Sequence, residues 1–247
     1  MSDSRSEEFK LDNPMLVRWE FASEERLEKR NAIYRRLLEG VDPEELLFEA
    51  VKEAAPARVL EVGSGAGALS ERVQRELGAE VTAIDTSERM VDLTRERGID
   101  AHVADVVDLP FEDASFDCVA VGWVLYHVAD RDRAISECAR VLRPGGRLAT
   151  ATLADENLSD LWDFIGSPQE RSLSFSAANG AEQLARHFDR VEAREARGVV
   201  AFKSADDMRQ LVAANMTRAH LAAMIPEFDE PVLVRTHHVI FVAEKAE

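Results

Sequence analysis

Residues 61–67, with the sequence EVGSGAG, have the composition of a loop that approaches a ligand. Glycines in such a loop let the backbone turn tightly and come close to a ligand without a Cβ clash. Asp85 ends the next apolar run, and its carboxylate can accept hydrogen bonds from both hydroxyls of a ribose. Nicotinamide dinucleotides and adenosyl cofactors both contain this ribose, so the two features leave both cofactor classes open.

Two further acidic residues favour one of these cofactor classes. Glu61 precedes the glycines at a strand end, where a carboxylate can hold an ammonium group but would repel a pyrophosphate. Asp105 follows the third apolar run and is placed to accept from the exocyclic amine of adenine, with the N–H of Val106 beside it. The acids therefore favour an adenosyl cofactor that carries an amino-acid group.

A parallel sheet is needed to bring these side chains to one edge. Short apolar runs alternate with helical stretches between Arg58 and Thr152, which is typical of βαβ units. The predicted strands cover residues 58–62, 80–85, 99–104, 116–122 and 147–153. The predicted helices between them cover residues 67–77, 87–97 and 130–141. The strand cores are nearly all apolar, as in strands covered by helices on both faces.

Further elements flank this region. Helix starts at Ser23 and at Asp42-Pro43 place a capping side chain before acidic residues. Beyond residue 153 the patterns predict helices at 177–187, 205–214 and 216–224, and strands at 191–196 and 236–245. The apolar final strand indicates insertion into the sheet. We therefore expect a Rossmann-like, doubly wound α/β fold of seven mostly parallel strands with the last strand antiparallel.

Charge and composition exclude several classes of partner. The 247 residues contain 30 Lys and Arg against 47 Asp and Glu, and 30 − 47 = −17. This charge repels phosphate backbones and anionic membranes, so we expect no nucleic-acid or membrane partner. Cys118 and Cys138 lack the spacing of a disulfide framework, and the polar start lacks a signal pattern, so we expect a cytoplasmic protein. No cluster of ligand residues predicts a metal site.

Five motifs occur in order between about residues 57 and 153. They are the segment 61–67, the strand end at 84–85, the stretch 104–117, the LYHV segment at 125–128 and the RVLRPGGR segment at 140–147. Together they resemble the class I S-adenosylmethionine-dependent methyltransferases, and among them the type 11, ubiquinone/menaquinone-biosynthesis-like small-molecule subgroup. The resemblance implies S-adenosylmethionine as cofactor and S-adenosylhomocysteine as product.

The resemblance also implies roles for individual residues. Around the methionine part of the cofactor it places Glu61, Gly63, Ser64, Gly65 and Gly67. Around the ribose and the adenine it places Asp85, Thr86, Met90, Asp105 and Val106. Gly122 and Trp123 would line the floor under the sulfonium. Trp123 is bulkier than the residue expected at that site, and so would narrow the acceptor pocket.

Methyl transfer from a sulfonium is an in-line displacement, which requires alignment and the exclusion of water more than a protein nucleophile. His127 is the candidate general base for a hydroxyl acceptor, or else a histidine of the pocket wall. His237 and His238 alternate across the last strand, so at most one faces a pocket, and we expect both to be core or surface histidines. The acceptor is expected to be an unidentified small molecule.

The implied organisation has two parts. Residues 1–56 would form an arm and lid helices, with Trp19, Phe21 and Tyr34 as candidate pocket aromatics. Residues 57–247 would form the cofactor-binding domain, in which a helical insertion within 154–235 contributes the acceptor pocket. The protein would be a monomer or a homodimer. Two alternatives stay open: a non-catalytic protein that binds S-adenosylmethionine, and an NAD(P)-dependent oxidoreductase, which leaves Glu61 and Asp105 unexplained.

Overall fold

An eight-stranded sheet forms the centre of the computed structural model, which describes residues 24–167, 172–215 and 218–247. The strands are β1 Leu38–Gly40, β2 Arg58–Val62, β3 Glu80–Asp85, β4 Asp100–Val103, β5 Phe116–Gly122, β6 Leu142–Leu153, β7 Arg190–Phe202 and β8 Val232–Glu244. Their order across the sheet is β1-β7-β8-β6-β5-β2-β3-β4. Strands β2 to β6 are parallel, whereas β8 is antiparallel to both of its neighbours, β6 and β7.

The helices pack on both faces of this sheet. They are α1 Glu24–Leu37, α2 Pro43–Glu53, α3 Ala68–Leu77, α4 Glu88–Glu96, α5 Arg131–Val141, α6 Ser159–Phe164, α7 Gly180–Leu184 and α8 Ala205–Ala213. Along β5, Val119 and Val121 enter one apolar cluster, while Cys118 and Ala120 enter the cluster on the other face. Two covered faces explain why the central strands are apolar throughout.

Helix starts follow the capping chemistry of the sequence. Asp42 accepts a hydrogen bond from Glu44 N at 2.9 Å, directly before Pro43 in the first turn of α2. Ser87 and Asp130 cap α4 and α5 in the same manner. These caps fix where the helices begin after β3 and β5, and so fix the loops at the carboxyl edge of the sheet.

The expected fold class is confirmed, with one additional strand. Strand β1 pairs antiparallel with β7, and Gly40 lies opposite Gly198. A Cβ on Gly40 would stand 2.7 Å from the Cα of Gly198, so glycine allows the two strands to approach. The insertion of the last strand is confirmed, because β8 lies between β6 and β7.

Other boundaries beyond residue 153 differ from the expectation. The helix expected at 177–187 shortens to Gly180–Leu184, and the stretch 216–224 yields a 3₁₀ helix at Ala219–Met224. Strand β7 is longer than the expected 191–196, because it pairs with β8 along its whole length from Arg190 to Phe202. Long-range pairing therefore determines these elements.

An arginine on α5 holds the loop that follows β4. Arg140 donates to the backbone oxygens of Leu109 and Phe111 at 3.0 and 2.7 Å. It also binds Asp113 at 2.9 Å and the buried Glu137 at 2.7 Å. Glu137 in turn accepts from Leu109 N at 3.0 Å, and the Arg140 hydrogen bond lowers the pKa of this carboxyl. The network fixes the segment that begins with Asp105.

Both cysteines are free and buried, and burial raises the pKa of each thiol to about 12. Such thiols stay protonated and unreactive at neutral pH. In the described ranges, no helix has the length and apolar character needed to cross a membrane.

Candidate functional site

A cavity of about 1030 Å³ opens at the carboxyl edge of the parallel strands. It is lined by the ends of β2, β3, β5 and β6, and it includes the point between β2 and β5 where the strand order reverses. Ligands of open α/β sheets bind at this switch point. The volume is slightly above the range of about 300–1,000 Å³ for small-molecule sites.

The cavity has two halves, which lie on either side of β5 in the order of the sheet, and Trp123 directly after β5 also lines it. The glycine-loop half consists of lining residues at the ends of β2, β3 and β4: Glu61, Gly63, Ser64, Gly65, Asp85, Thr86, Asp105 and Val106. The β8 half consists of lining residues from β6, the segment after it and β8: Leu153, Asn157, Leu158, Trp162 and His238. His238 reaches this edge because it pairs with Leu153, the last residue of β6.

The glycine loop is held from two sides. Gly63 N and Ser64 N both donate to Ile84 O of β3, at 2.8 and 3.1 Å. Thr94 Oγ1 of α4 donates to Gly65 O at 3.0 Å. Gly63 has φ +69°, and a Cβ there would overlap Cγ2 of Val124, so only glycine fits. Thr94 carried no signal in the sequence, because its role depends on how α4 docks.

Glu61 is a buried carboxyl directly beneath this loop. It is 6% exposed and accepts a hydrogen bond from Ser70 Oγ. Burial raises its pKa to about 7, and the nearby Asp85 carboxylate adds to the increase. A desolvated carboxyl of this kind is stabilised in its charged form only when a cation arrives beside it.

Asp85 presents both carboxylate oxygens at the end of β3. Oδ2 accepts from Gly65 N at 3.0 Å, and Oδ1 accepts from Ser87 N at 2.9 Å. These bonds orient the carboxylate and leave each oxygen with a further lone pair for a ligand hydroxyl. Burial raises the pKa of Asp85 despite the two N–H donors.

The remaining predicted residues of this half occupy different depths. Asp105 is exposed, and its Oδ1 accepts from Val107 N at 3.1 Å, while Val106 is buried in the lining. Thr86 is exposed and also lines the cavity. The expected contacts of Asp105, Val106 and Thr86 with an adenosine stay predictions.

Gly67 and Met90 lie behind the loop and do not line the cavity. Gly67 precedes α3 with φ +76°, and a Cβ there would stand 2.8 Å from Thr94 Oγ1. Met90 has no exposed surface. Neither residue is part of the cavity lining, and the expected contacts of both with the cofactor stay predictions.

Trp123 has a left-handed backbone and bonds to a histidine. Its φ is +57°, and its N–H donates to Ala151 O of β6 at 2.9 Å. The indole Nε1 donates to Nδ1 of His238 at 3.1 Å, with the two rings edge-to-face at 5.9 Å. Burial lowers the pKa of His238 to about 4, and His237 adds to the decrease. His238 is therefore neutral at physiological pH.

The expectation that His238 is a core or surface histidine is wrong, because its ring lines the cavity. His237 points to the opposite face, where Nδ1 bonds to Glu156 at 2.6 Å. Alternation along the strand implied that only one of the pair faces a pocket. Which one it is depends on the register of β8 against β6.

Other residues singled out in the sequence also line the cavity. Gly122 and His127 both line it, and the His127 ring packs on Tyr126 with centroids 4.4 Å apart. Tyr34 of α1 also lines the cavity, with its ring edge-to-face with His238 at 6.5 Å. The other expected lid aromatics, Trp19 and Phe21, lie outside the described residues.

Among the residues that the structure describes, three ion pairs connect α1 to other helices. Glu24 binds Arg89 at 2.5 Å, Arg35 binds Glu44 at 3.0 Å, and Arg36 binds Asp207 at 2.5 Å. The pairs join this helix to α4, α2 and α8. Among the residues the structure describes, no three His, Cys, Asp or Glu side chains are grouped as a metal site would require.

Comparisons with known proteins place this site in a family. Residues 60–150 match the model of a methyltransferase domain. The methyltransferase GfsG of Streptomyces halstedii is 31% identical over 194 residues, which are 75% of this chain and 66% of that protein. A ubiquinone biosynthesis O-methyltransferase of Xanthomonas oryzae pv. oryzae is 42% identical over 124 residues, 47% of this chain and 52% of that protein. The chain thus matches between about half and two thirds of these relatives.

The fold is also found among solved structures. The [4+2]-cyclase SpnF superposes with a TM-score of 0.56 at 22% identity, over 82% of this chain and 80% of the cyclase. The fold alone therefore does not determine the reaction. The matching domain model and the two relatives identify residues 60–150 as a domain of the class I S-adenosylmethionine-dependent methyltransferase family.

Proposed function

We propose that the protein transfers a methyl group from S-adenosylmethionine to a small molecule bound in the β8 half. The observation that carries this proposal is the continuity of the cavity, which joins the glycine-loop half to the β8 half past Trp123. A protein that only bound the cofactor would need the first half alone. The second half gives an acceptor a place beside the cofactor.

The glycine-loop half has the chemistry that this cofactor requires. Glu61 offers a buried carboxyl to the ammonium of the methionine part, and this cation would compensate for its desolvation. Asp85 offers two oriented oxygens to the ribose hydroxyls. An NAD(P)-dependent oxidoreductase would place a pyrophosphate near Glu61, which the buried acid disfavours.

The chain contributes alignment and the exclusion of water. When bound, S-adenosylmethionine supplies a methyl group on a positively charged sulfur, and the electron pair of the breaking C–S bond remains on that sulfur. Trp123 and Gly122 stand at the border of the two halves, where they would orient the acceptor toward the methyl. His127 lines the same cavity and is the candidate base for an acceptor that must lose a proton.

Calorimetry of the Asp85→Ala variant tests cofactor binding. Removing two oriented oxygens should weaken binding of S-adenosylmethionine and S-adenosylhomocysteine by about a hundredfold or more, since hydrogen bonds to a charged group contribute about 1.5–3 kcal/mol each. Asp100→Ala, an exposed acid on β4 outside the cavity, is the matched control and should bind normally. Near wild-type affinity in Asp85→Ala would count against the proposal.

Two further measurements separate the alternatives. Binding of NADH without either adenosyl ligand would favour the oxidoreductase. Methyl-labelled S-adenosylmethionine is then incubated with the protein and a panel of phenols, amines and thiols, and S-adenosylhomocysteine is quantified. Tight cofactor binding without turnover for any acceptor would favour the non-catalytic binding protein.

A further inference from the structure

The β8 half presents a histidine N–H to the cavity. His238 Nδ1 accepts from Trp123 Nε1 at 3.1 Å, so the neutral ring carries its proton on Nε2. Within residues 24–167, 172–215 and 218–247, no group accepts a hydrogen bond from this Nε2. The indole therefore fixes both the ring orientation and the tautomer, which makes His238 a donor toward the cavity.

An asparagine in the same half also presents an N–H donor. Asn157 is 3% exposed and lines the cavity, and its Oδ1 accepts from His237 N at 2.8 Å. That bond determines which end of the amide is the oxygen. The amino group Nδ2 has no acceptor in the described part of the chain, so it can donate a hydrogen bond to a ligand.

A buried indole in the same half has an unused N–H. Trp162 is 3% exposed, and its Nε1 has no hydrogen-bond partner among the residues described. Arg218 stacks on the face of its ring, 4.1 Å from the centroid. Because this nitrogen has almost no accessible surface, a ligand oxygen in the cavity does not reach it, and the indole forms part of the wall of the β8 half.

Acceptor atoms are scarce in this half. None of its five residues is acidic, and the two neighbouring acids are engaged elsewhere: Asp155 accepts from Leu173 N at 2.8 Å, and Glu156 binds His237. The charged lining residues of α1 are Glu28, Arg30 and Arg35, of which Arg35 is paired with Glu44, so this helix presents charges of both signs. An amine would find few acceptors among these five residues, whereas an oxygen atom would find the N–H groups of His238 and Asn157.

We propose that the β8 half binds a small molecule through an oxyanion or carbonyl oxygen, with His238 and Asn157 donating N–H bonds to that oxygen. His238 acts as a fixed donor and not as a base, because its cavity-facing nitrogen already carries a proton. The identification of this molecule as the methyl acceptor rests on the proposed function. The donor preference itself is a property of the cavity and can be measured without turnover.

Two probes of similar size test the preference on protein saturated with S-adenosylhomocysteine. Tropolonate is a planar enolate at mildly alkaline pH, and benzylammonium is a cation under the same conditions. Calorimetry should show tropolonate binding at least about tenfold more tightly, which corresponds to one hydrogen bond to a charged group. Equal affinities, a preference for benzylammonium, or no binding of tropolonate would overturn the inference.

Asn157→Asp reverses the local chemistry with little change of shape. It keeps the Oδ1 acceptor for His237 N and replaces the amino donor with a second oxygen. The preference should invert, with tropolonate weakened at least about tenfold and benzylammonium strengthened. Gln74→Glu adds the same charge on the exposed face of α3, outside the cavity, and should leave both affinities unchanged. An unchanged preference in Asn157→Asp contradicts the assignment.

Variants of His238 separate its role as a hydrogen-bond donor from its role in packing. His238→Phe removes the donor and should weaken tropolonate at least about tenfold, whereas His238→Gln keeps a side-chain N–H and should retain most of the affinity. Equal loss in both variants would indicate a purely structural role. Affinity for S-adenosylhomocysteine is measured first in every protein. If the wild type fails to bind it, the proposed function fails, whereas normal binding without probe selectivity refutes only this inference.

Discussion

Glu61→Gln should stabilise the protein at neutral and alkaline pH. The substitution keeps the size of the side chain and removes a carboxyl whose pKa burial raises from 4.5 to about 7. Between these two pKa values the folded protein holds a proton that the unfolded chain releases. The free energy of unfolding of the wild type therefore falls as pH rises through this window, and the contribution is constant above it.

The size of the effect follows from the two pKa values. A shift from 4.5 to about 7 corresponds to about 3 kcal/mol at 1.36 kcal/mol per pKa unit. The hydrogen bond from Ser70 persists in the variant, because the amide oxygen of the introduced glutamine replaces the accepting carboxylate oxygen. Urea unfolding at a series of pH values measures the difference. The free energy of unfolding of the variant, relative to that of the wild type, should rise by about 3 kcal/mol as the pH goes from mildly acidic to mildly alkaline. A difference that does not change with pH would refute this reasoning.

The affinity for S-adenosylhomocysteine should rise with pH, whereas the stability of the wild type falls. If the ammonium of S-adenosylhomocysteine lies beside Glu61, it lowers the carboxyl pKa, so affinity rises with pH up to about 7 and a proton is released on binding. Calorimetry in buffers of different ionisation enthalpy counts that proton. The Glu61→Gln variant serves to subtract the titration of the ligand itself. Identical proton release in both proteins would contradict the placement of the ammonium beside Glu61.

Two stability predictions concern the supports of the site, and urea unfolding checks both. Gly63→Ala should destabilise the fold by about 3 kcal/mol, because the residue has φ +69° and the new Cβ overlaps Cγ2 of Val124; a loss below about 1 kcal/mol would mean that the loop relaxes freely. Arg140→Ala should cost about 2 kcal/mol, because it removes the closer of the two arginines paired with the buried Glu137 and the donor of the Leu109 and Phe111 backbone oxygens. The exposed Arg75→Ala, which breaks only a surface pair, should cost less than about 1 kcal/mol, and equal losses in these two arginine variants would contradict that account.

Local patterns were sufficient for the central elements and for the glycine-loop half. Strands 58–62, 80–85 and 116–122 have the expected bounds, because nearly all-apolar runs between capped helices have few other conformations available. The first half of the site follows from these strands, since the ends of adjacent parallel strands meet at one edge. Glu61 and Asp85 are therefore brought together by features that are visible in the sequence.

The β8 half depends on pairing that no local pattern encodes. Trp123 and His238 are 115 positions apart and meet only because Leu153 of β6 pairs with His238 of β8. A shift of one residue in that register would present His237 to the cavity instead. Strand β1 was missed for a similar reason, because three residues ending in glycine become a strand only when β7 lies beside them.

The position of β8 also has a consequence for the order of folding. It is the last of the eight strands along the chain, yet it lies between β6 and β7 and pairs with β7 over 13 residues from Val232 to Glu244. Until β8 arrives, β6 presents an open edge of unpaired backbone groups, and β7 has no place beside the parallel strands. Such open edges are templates for association between chains, so the interval before β8 docks is the stage at which newly made molecules are most prone to aggregate.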